Sequence, residues 1–149
     1  MKWLITSDIH GDLERLKSVV EKHPDVDYHL DAGDSGLKDF LARNYHAIGV
    51  KGNNDFGNHD PTIRIVTLHA KKVLLTHGHR EYVKLGLSKL KELAKKEKVD
   101  VCIFGHTHKK YLMAESNIIY INPGALGKSP HSYAIYENGQ VTFYEENGK

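Results

Sequence analysis

The chain contains one cysteine, four prolines, one tryptophan and two methionines in 149 residues. A single cysteine excludes an internal disulfide framework and any cysteine-rich zinc module. Long hydrophobic runs are absent as well. No apolar stretch approaches the ~20 residues a membrane helix needs. The short apolar start, Trp3-Leu4-Ile5, meets Ser7-Asp8 before a signal-peptide core forms. A cytoplasmic, membrane-free setting is therefore expected. Charge of one sign is also lacking: 21 Lys+Arg against 19 Asp+Glu leave a formal +2, which argues against a nucleic-acid partner. Repeats, low-complexity tracts and Pro/Gly/Ser linkers are missing too, so a single domain over residues 1–149 is expected. What the chain has in excess is histidine, with 11 copies. Imidazole is the commonest metal ligand and the usual acid–base group near neutral pH.

The apolar residues come in short runs, each closing on a polar cluster. Trp3-Leu4-Ile5 leads to Asp8 and His10, Tyr28-His29-Leu30 to Gly33-Asp34, and Ala47 to Val50 leads to Gly52-Asn53-Asn54-Asp55. Val73-Leu74-Leu75 leads to Thr76-His77-Gly78-His79, and Val99 to Phe104 leads to Gly105-His106-Thr107-His108. Ile118 to Ile121 leads to Asn122-Pro123-Gly124. Runs of this length bounded by Gly and Asp read as strands buried on both faces. Leu13, Leu16, Val19 and Val20 form one helical stripe, Leu87, Leu90, Leu93 and Ala94 another, and a short helix is expected over residues 37–42. The front half therefore predicts parallel strands with helical crossovers. Segments 111–115, 118–121, 133–136 and 141–144 read as antiparallel strands, with Asn138-Gly139 as a hairpin turn. The expected architecture is α/β, two sheets packed together with helices outside, and the polar clusters lie at the carboxyl ends of strands.

Singly, each cluster is a common turn. Together Asp8, His10, Asp34, Asn53, His77, His106 and His108 supply seven oxygen and nitrogen donors from five strand ends. Imidazole and carboxylate suit Zn, Mn, Fe, Ni or Co better than Ca. Seven donors exceed a four-coordinate structural zinc site and suit two ions about 3.5–4 Å apart.

Asp8-Ile9-His10, Gly33-Asp34, Gly52-Asn53-Asn54-Asp55, Thr76-His77-Gly78-His79, Gly105-His106-Thr107-His108 and Asn122-Pro123-Gly124, in this order, resemble the motifs of the calcineurin-like metallophosphoesterase superfamily. Within it the chain is similar to small bacterial and archaeal phosphodiesterases of the YfcE type. The resemblance implies a four-layer αββα sandwich of two mixed sheets and a binuclear centre of divalent ions, Mn or Ni favoured for activity. It places Asp8, His10 and His108 on one ion, Asn53, His77 and His106 on the other, and Asp34 between them. In the Gly105-His106-Thr107-His108 loop, alternating residues project similarly, so two imidazoles can serve neighbouring ions. With two carboxylates and a bridging hydroxide, two divalent ions leave roughly one net positive charge facing a phosphate ester. The implied reaction is hydrolysis of a small phosphodiester or phosphomonoester by in-line attack of that hydroxide, without a covalent intermediate. The rival reading is a non-catalytic metal-binding scaffold on the same fold.

Relatives that carry His where this chain has Asn54 are thought to protonate the leaving group there, and an amide cannot. The expected catalytic set is then Asn54, Asp55 and His79, with Asp55 orienting its loop and His79 contacting substrate or a ligand. Asn54 and Lys128 are expected beside the substrate. A second copy of the motif, Gly57-Asn58-His59-Asp60, offers His59 as a replacement acid. Gly124-Ala125-Leu126-Gly127-Lys128-Ser129 mimics the end of a P-loop but lacks its first glycine and runs into Pro130. Only residues 35–52 separate Gly33-Asp34 from Asn53, too few for a specificity cap, so the site is expected to be open. Exposed strand edges in the back half could pair between subunits in a homo-oligomer.

Overall fold

The computed structural model describes residues 1–55 and 60–147. Its first strand, β1 (Lys2–Thr6), is followed by helix α1 (Leu13–Lys22) and strand β2 (Tyr28–Asp31). Asp12 caps α1 by accepting the Arg15 N–H at 3.2 Å. The helix ends at His23, ahead of Pro24, which disfavours continuation. Helix α2 (Lys38–Tyr45) and strand β3 (Ala47–Gly49) follow, His46 closing α2 in the left-handed region at φ 52°. The expected helices are present, with α2 running three residues further than its apolar pattern suggests.

The second half begins with a hairpin of β4 (Ile63–Leu68) and β5 (Lys71–Thr76), then helix α3 (Ser88–Lys96) and strands β6 (Val101–Ile103), β7 (Lys110–Glu115), β8 (Ile118–Pro123), β9 (Ser132–Glu137) and β10 (Gln140–Glu145). The strands form two five-stranded sheets, in orders β10-β9-β1-β2-β3 and β4-β5-β6-β8-β7. Pairs β1–β2, β2–β3, β5–β6 and β6–β8 are parallel. Pairs β1–β9, β9–β10, β4–β5 and β7–β8 are antiparallel. The back half is thus not one antiparallel run. The segment between Pro123 and Ser132 crosses from one sheet to the other, and β8 pairs parallel to β6. Strand β4 is an addition to the sequence reading; Val66 and Leu68 turn inward while Ile65 and Thr67 face out.

Side-chain alternation along each strand splits the apolar residues into three cores. Trp3, Ile5, Leu30, Val73, Leu75 and Ile103 lie between the sheets. Leu4 and Ile135 take Leu16 and Val19 of α1 and Leu41 of α2 on the outer face of the first sheet. Leu74, Cys102 and Tyr120 take Leu90 and Ala94 of α3 on the outer face of the second. The result is the four-layer αββα order, and both central sheets are buried on each side. Strands β1, β2, β3, β5 and β6 all end toward the same edge, and the loops leaving them carry the seven donors.

Candidate metal centre

Two groups of donor atoms converge at that edge. Asp8, His10 and His108 form one, Asp8, Asp34 and His77 the other, the ligand atoms of each lying within 4.8 Å of one another. Asp8 belongs to both. Its Oδ2 accepts the Ser7 hydroxyl at 2.6 Å and the His106 N–H at 3.1 Å, while its Oδ1 is buried without a hydrogen-bond partner among the described residues. Around that oxygen stand His108 Nε2 at 3.3 Å, His10 Nε2 at 3.6 Å and His77 Nε2 at 3.8 Å. His10 Nε2 is also buried and unpartnered. Orphaned buried donors and acceptors that face one another are costly unless something bridges them. A cation bridges carboxylate and neutral imidazole, so the residues fit a metal.

The second group is fixed by its neighbours. His77 Nδ1 donates to the Ala32 carbonyl at 2.7 Å, which turns Nε2 toward Asp34 Oδ2 at 3.3 Å. His106 Nδ1 lies 3.2 Å from His77 Nε2, so a second imidazole borders the His77–Asp34 pair. Asp34 receives the Asn54 backbone N–H at 2.8 Å on Oδ1 and the Asn54 side-chain amide at 3.0 Å on Oδ2. Asp55 accepts the N–H groups of Asp34 and Gly52, each at 2.8 Å, and so ties the loop after β2 to the loop after β3. A Cβ on Gly52 would collide with Asp34, and one on Gly105 would collide with Ser7 and approach Asp8 Oδ2 at 2.9 Å. Those two positions admit glycine only.

Burial and charge act in opposite directions here. Burial disfavours charge on Asp34, yet His77 and the Asn54 N–H groups outweigh it and hold the carboxyl below its ordinary range. Burial likewise works against charge on His77, but Asp34 and Asp8 raise its pKa. His106 is pushed down to about 4, first by burial and then by the charges of His77 and Lys84. His79 is lowered by burial and by His77. Near neutral pH, His79 and His106 thus present unprotonated nitrogens.

Five of the donor-bearing residues adopt a left-handed backbone: Asp8, His10, Asp34, His106 and His108 have φ between 49° and 72°. Such a backbone is uncommon outside glycine and tends to be kept where function over-determines it.

A family model for the calcineurin-like phosphoesterase superfamily domain matches residues 1–140. The chain belongs to that superfamily. It is 34% identical over 158 residues to the probable metallophosphoesterase YsnB of Bacillus subtilis, covering 99% of this chain and 93% of that one. It is 29% identical over 144 residues to the phosphodiesterase MJ0936 of Methanocaldococcus jannaschii, covering 83% of each. Among solved structures it resembles a predicted phosphoesterase from Streptococcus pneumoniae, with a TM-score of 0.84, 26% identity and coverage of 98% of this chain and 90% of the other.

In this calcineurin-like domain the remaining expected residues are placed less tightly. Asn53 is exposed on its turn. His79 is half-buried, its ring 5.5 Å from His77 and 6.3 Å from His106, and its Nδ1 is buried without a partner among the described residues. Asn54 faces Asp34 with both its backbone and its amide N–H, which makes it a positioning residue for that carboxylate. Lys128 is exposed in the turn after Gly127, whose N–H donates to the Asp8 carbonyl at 3.0 Å. His59 lies outside the described residues. The Asn122-Pro123-Gly124 loop contributes support: the Asn122 amide donates to the Gly105 carbonyl at 3.2 Å and to the Thr107 hydroxyl at 3.0 Å.

The histidines without a motif have other tasks. His29 Nε2 meets the Thr6 hydroxyl at 2.7 Å, His23 meets the Tyr133 hydroxyl at 2.8 Å, His131 meets the Leu126 carbonyl at 2.9 Å, and His69 accepts from the Trp3 indole at 3.3 Å. His46 closes α2. Ser7 is the site residue that sequence reasoning missed. Its one signal was adjacency to Asp8, and its hydroxyl occupies Oδ2 while Oδ1 stays open to the imidazoles.

Proposed function

We propose that this chain is a binuclear, divalent-metal-dependent phosphoesterase that hydrolyses small phosphodiesters in preference to monoesters. The observation that carries the reading is the buried, unpartnered Asp8 Oδ1 surrounded by three imidazole nitrogens within 3.8 Å, with Asp34 beside them. Asp8, His10 and His108 would hold one ion, and His77, His106 and Asn53 the other, with Asp34 shared. Divalent ions bound there, Mn or Ni above all, supply positive charge to the phosphoryl oxygens and lower the pKa of a coordinated water.

The chain's own groups do the rest. Asn54 and Asp55 keep Asp34 aimed into the site, and the Ser7 hydroxyl keeps Asp8 from rotating. His79, unprotonated and outside both donor groups, stands where it can bond the ester or carry a proton. Two carboxylates offset part of the ions' charge, and the positive field that remains suits a phosphate-ester anion. The name of the Methanocaldococcus relative, a phosphodiesterase, supports the diester preference.

The test is hydrolysis of bis- and mono-p-nitrophenyl phosphate with Mn or Ni added, alongside metal analysis. Turnover of the diester above the monoester, with two ions bound per chain, is expected. Two bound ions without turnover under any divalent metal would turn the reading to the metal-binding scaffold.

A further inference from the structure

A second feature adjoins the donor cluster without belonging to it. It is a cavity of about 540 Å³, within the roughly 300–1,000 Å³ typical of small-molecule sites. Thr107, which sits between the candidate ligands His106 and His108, forms part of its wall. The floor is aromatic: Phe104 and Tyr111 meet edge to face with ring centres 5.8 Å apart. The rim is cationic, with Lys84, Lys109 and Lys110.

The three lysines are not equivalent. Lys110 is paired with Glu145 at 2.8 Å. Lys84 and Lys109 are exposed and form no ion pair among the described residues. Lys84 is also near enough to His106 for its charge to weigh on that imidazole. Among the described residues no carboxylate lines the cavity, so a polyol would find few acceptors there, and a bare apolar chain would leave two ammonium groups unused. An aromatic ring bearing its own anion satisfies floor and rim together.

We propose that this cavity is the subsite for one alcohol of the diester, and that it takes a nucleotide-like group: an aromatic ring against Tyr111 and Phe104, and a second phosphate on Lys84 and Lys109. The proposal rests on the phosphoesterase reading for its place in catalysis and deepens it by naming a substrate class, a small diester whose one side is a phosphorylated nucleoside. The order follows from adjacency. Thr107 lines the cavity while its chain neighbours His106 and His108 belong to the candidate donor set, so an ester with its phosphorus at the donor cluster has the cavity one residue away along this loop.

Two measurements on the full chain test it. The first compares kcat/KM for a 5′-phosphorylated dinucleotide with that for bis-p-nitrophenyl phosphate. In the double variant Lys84→Gln/Lys109→Gln the ratio is expected to fall at least tenfold. The second titrates chelator-treated protein with adenosine 3′,5′-bisphosphate by calorimetry. The double variant and Tyr111→Ala are each expected to weaken binding at least fivefold, and unphosphorylated adenosine is expected to bind more weakly than the bisphosphate. Turnover of bis-p-nitrophenyl phosphate with an unchanged ratio, or bisphosphate binding indifferent to the lysines, overturns the subsite and leaves the phosphoesterase reading standing. Rates that climb steadily with oligonucleotide length also overturn it, in favour of a nucleic-acid surface. No turnover of either substrate by the unaltered chain overturns the phosphoesterase reading, and the calorimetric titration then decides the cavity by itself.

Discussion

The candidate centre has a floor and a rim, and they are built differently. Asp8 and His77 are wholly shielded and Asp34 is 3% exposed, whereas the side chains of His10 and His108 are 21% and 35% exposed and Asn53 lies on an open turn. Each floor side chain is held by the surrounding chain: Asp8 by Ser7 and the His106 N–H, Asp34 by Asn54, His77 by the Ala32 carbonyl. The rim imidazoles have no comparable anchor among the described residues. A floor set in advance costs no ordering when a cation arrives, and the rim completes the coordination afterwards. Affinity should therefore reside in the floor and exchange of ligands in the rim.

The largest effect should come from the floor. Asp8→Asn or His77→Ala is expected to lower kcat/KM for bis-p-nitrophenyl phosphate by ~10³-fold or more, since charge stabilisation by bound ions contributes several kcal/mol. Asn53→Ala should lose less, and metal analysis of the three proteins checks the ranking. Equal losses would erase the distinction between floor and rim.

Next, His79→Ala should raise KM for bis-p-nitrophenyl phosphate by ~10–100-fold with kcat little changed, because a neutral imidazole donates a hydrogen bond worth about 1.5–3 kcal/mol to a charged phosphate but has no acidic proton to give a leaving group. Steady-state kinetics measure this directly, and an unchanged KM would reduce His79 to packing. Ser7→Ala should weaken metal binding by ~10–100-fold, as outer hydrogen bonds to ligands typically do; a competition titration against a chelating dye gives the number. An unchanged affinity would mean that the His106 N–H suffices to fix Asp8.

A smaller effect concerns stability. Burial lowers the His29 pKa from 6.5 to about 4, so its contribution to stability is lost as pH falls through that window. Burial raises Asp31 from 3.8 to about 7, so its contribution is lost as pH rises through that one. The Thr6 hydroxyl joins them, donating to Asp31 at 2.8 Å and meeting His29 Nε2 at 2.7 Å. The two slopes oppose each other, and the unaltered chain should be nearly flat in stability from pH 4.5 to 6.5. His29→Gln removes one slope, so urea melts should show stability declining steadily as pH rises over that range. A flat profile in the variant would show that Asp31 does not titrate there. Least affected should be Lys128→Ala, with KM for bis-p-nitrophenyl phosphate changing under about twofold, because an exposed lysine in solvent contributes little.

The strand ends were legible in the sequence because buried parallel strands leave continuous apolar runs, and each run stops where a donor begins. The stripes of α1 and α3 were legible for the same reason at helical period. Strand β4 was not, because Ile63 to Leu68 alternates in and out and closes on no polar cluster. The partition of β8 and β9 between sheets was hidden too, since pairing partners far apart in sequence leave no local trace. At the site, residue types and order marked Asp8, His10, Asp34, His77 and His108, whose ligand atoms the fold brings together. The sequence left unmarked which carboxylate oxygen would stay free, because that depends on the Ser7 hydroxyl. It equally hid the left-handed backbone at Asp8, His10, Asp34, His106 and His108, since nothing in an aspartate or histidine announces a positive φ.

The bonds from Leu126 N–H to the Ser7 carbonyl and from Gly127 N–H to the Asp8 carbonyl, each 3.0 Å, impose an order in time. Ser7 and Asp8 are synthesised long before the residues that bond their carbonyls. The pocket therefore closes late relative to its first carboxylate, and a nascent chain carries Asp8 without this clamp until Leu126 and Gly127 have been made.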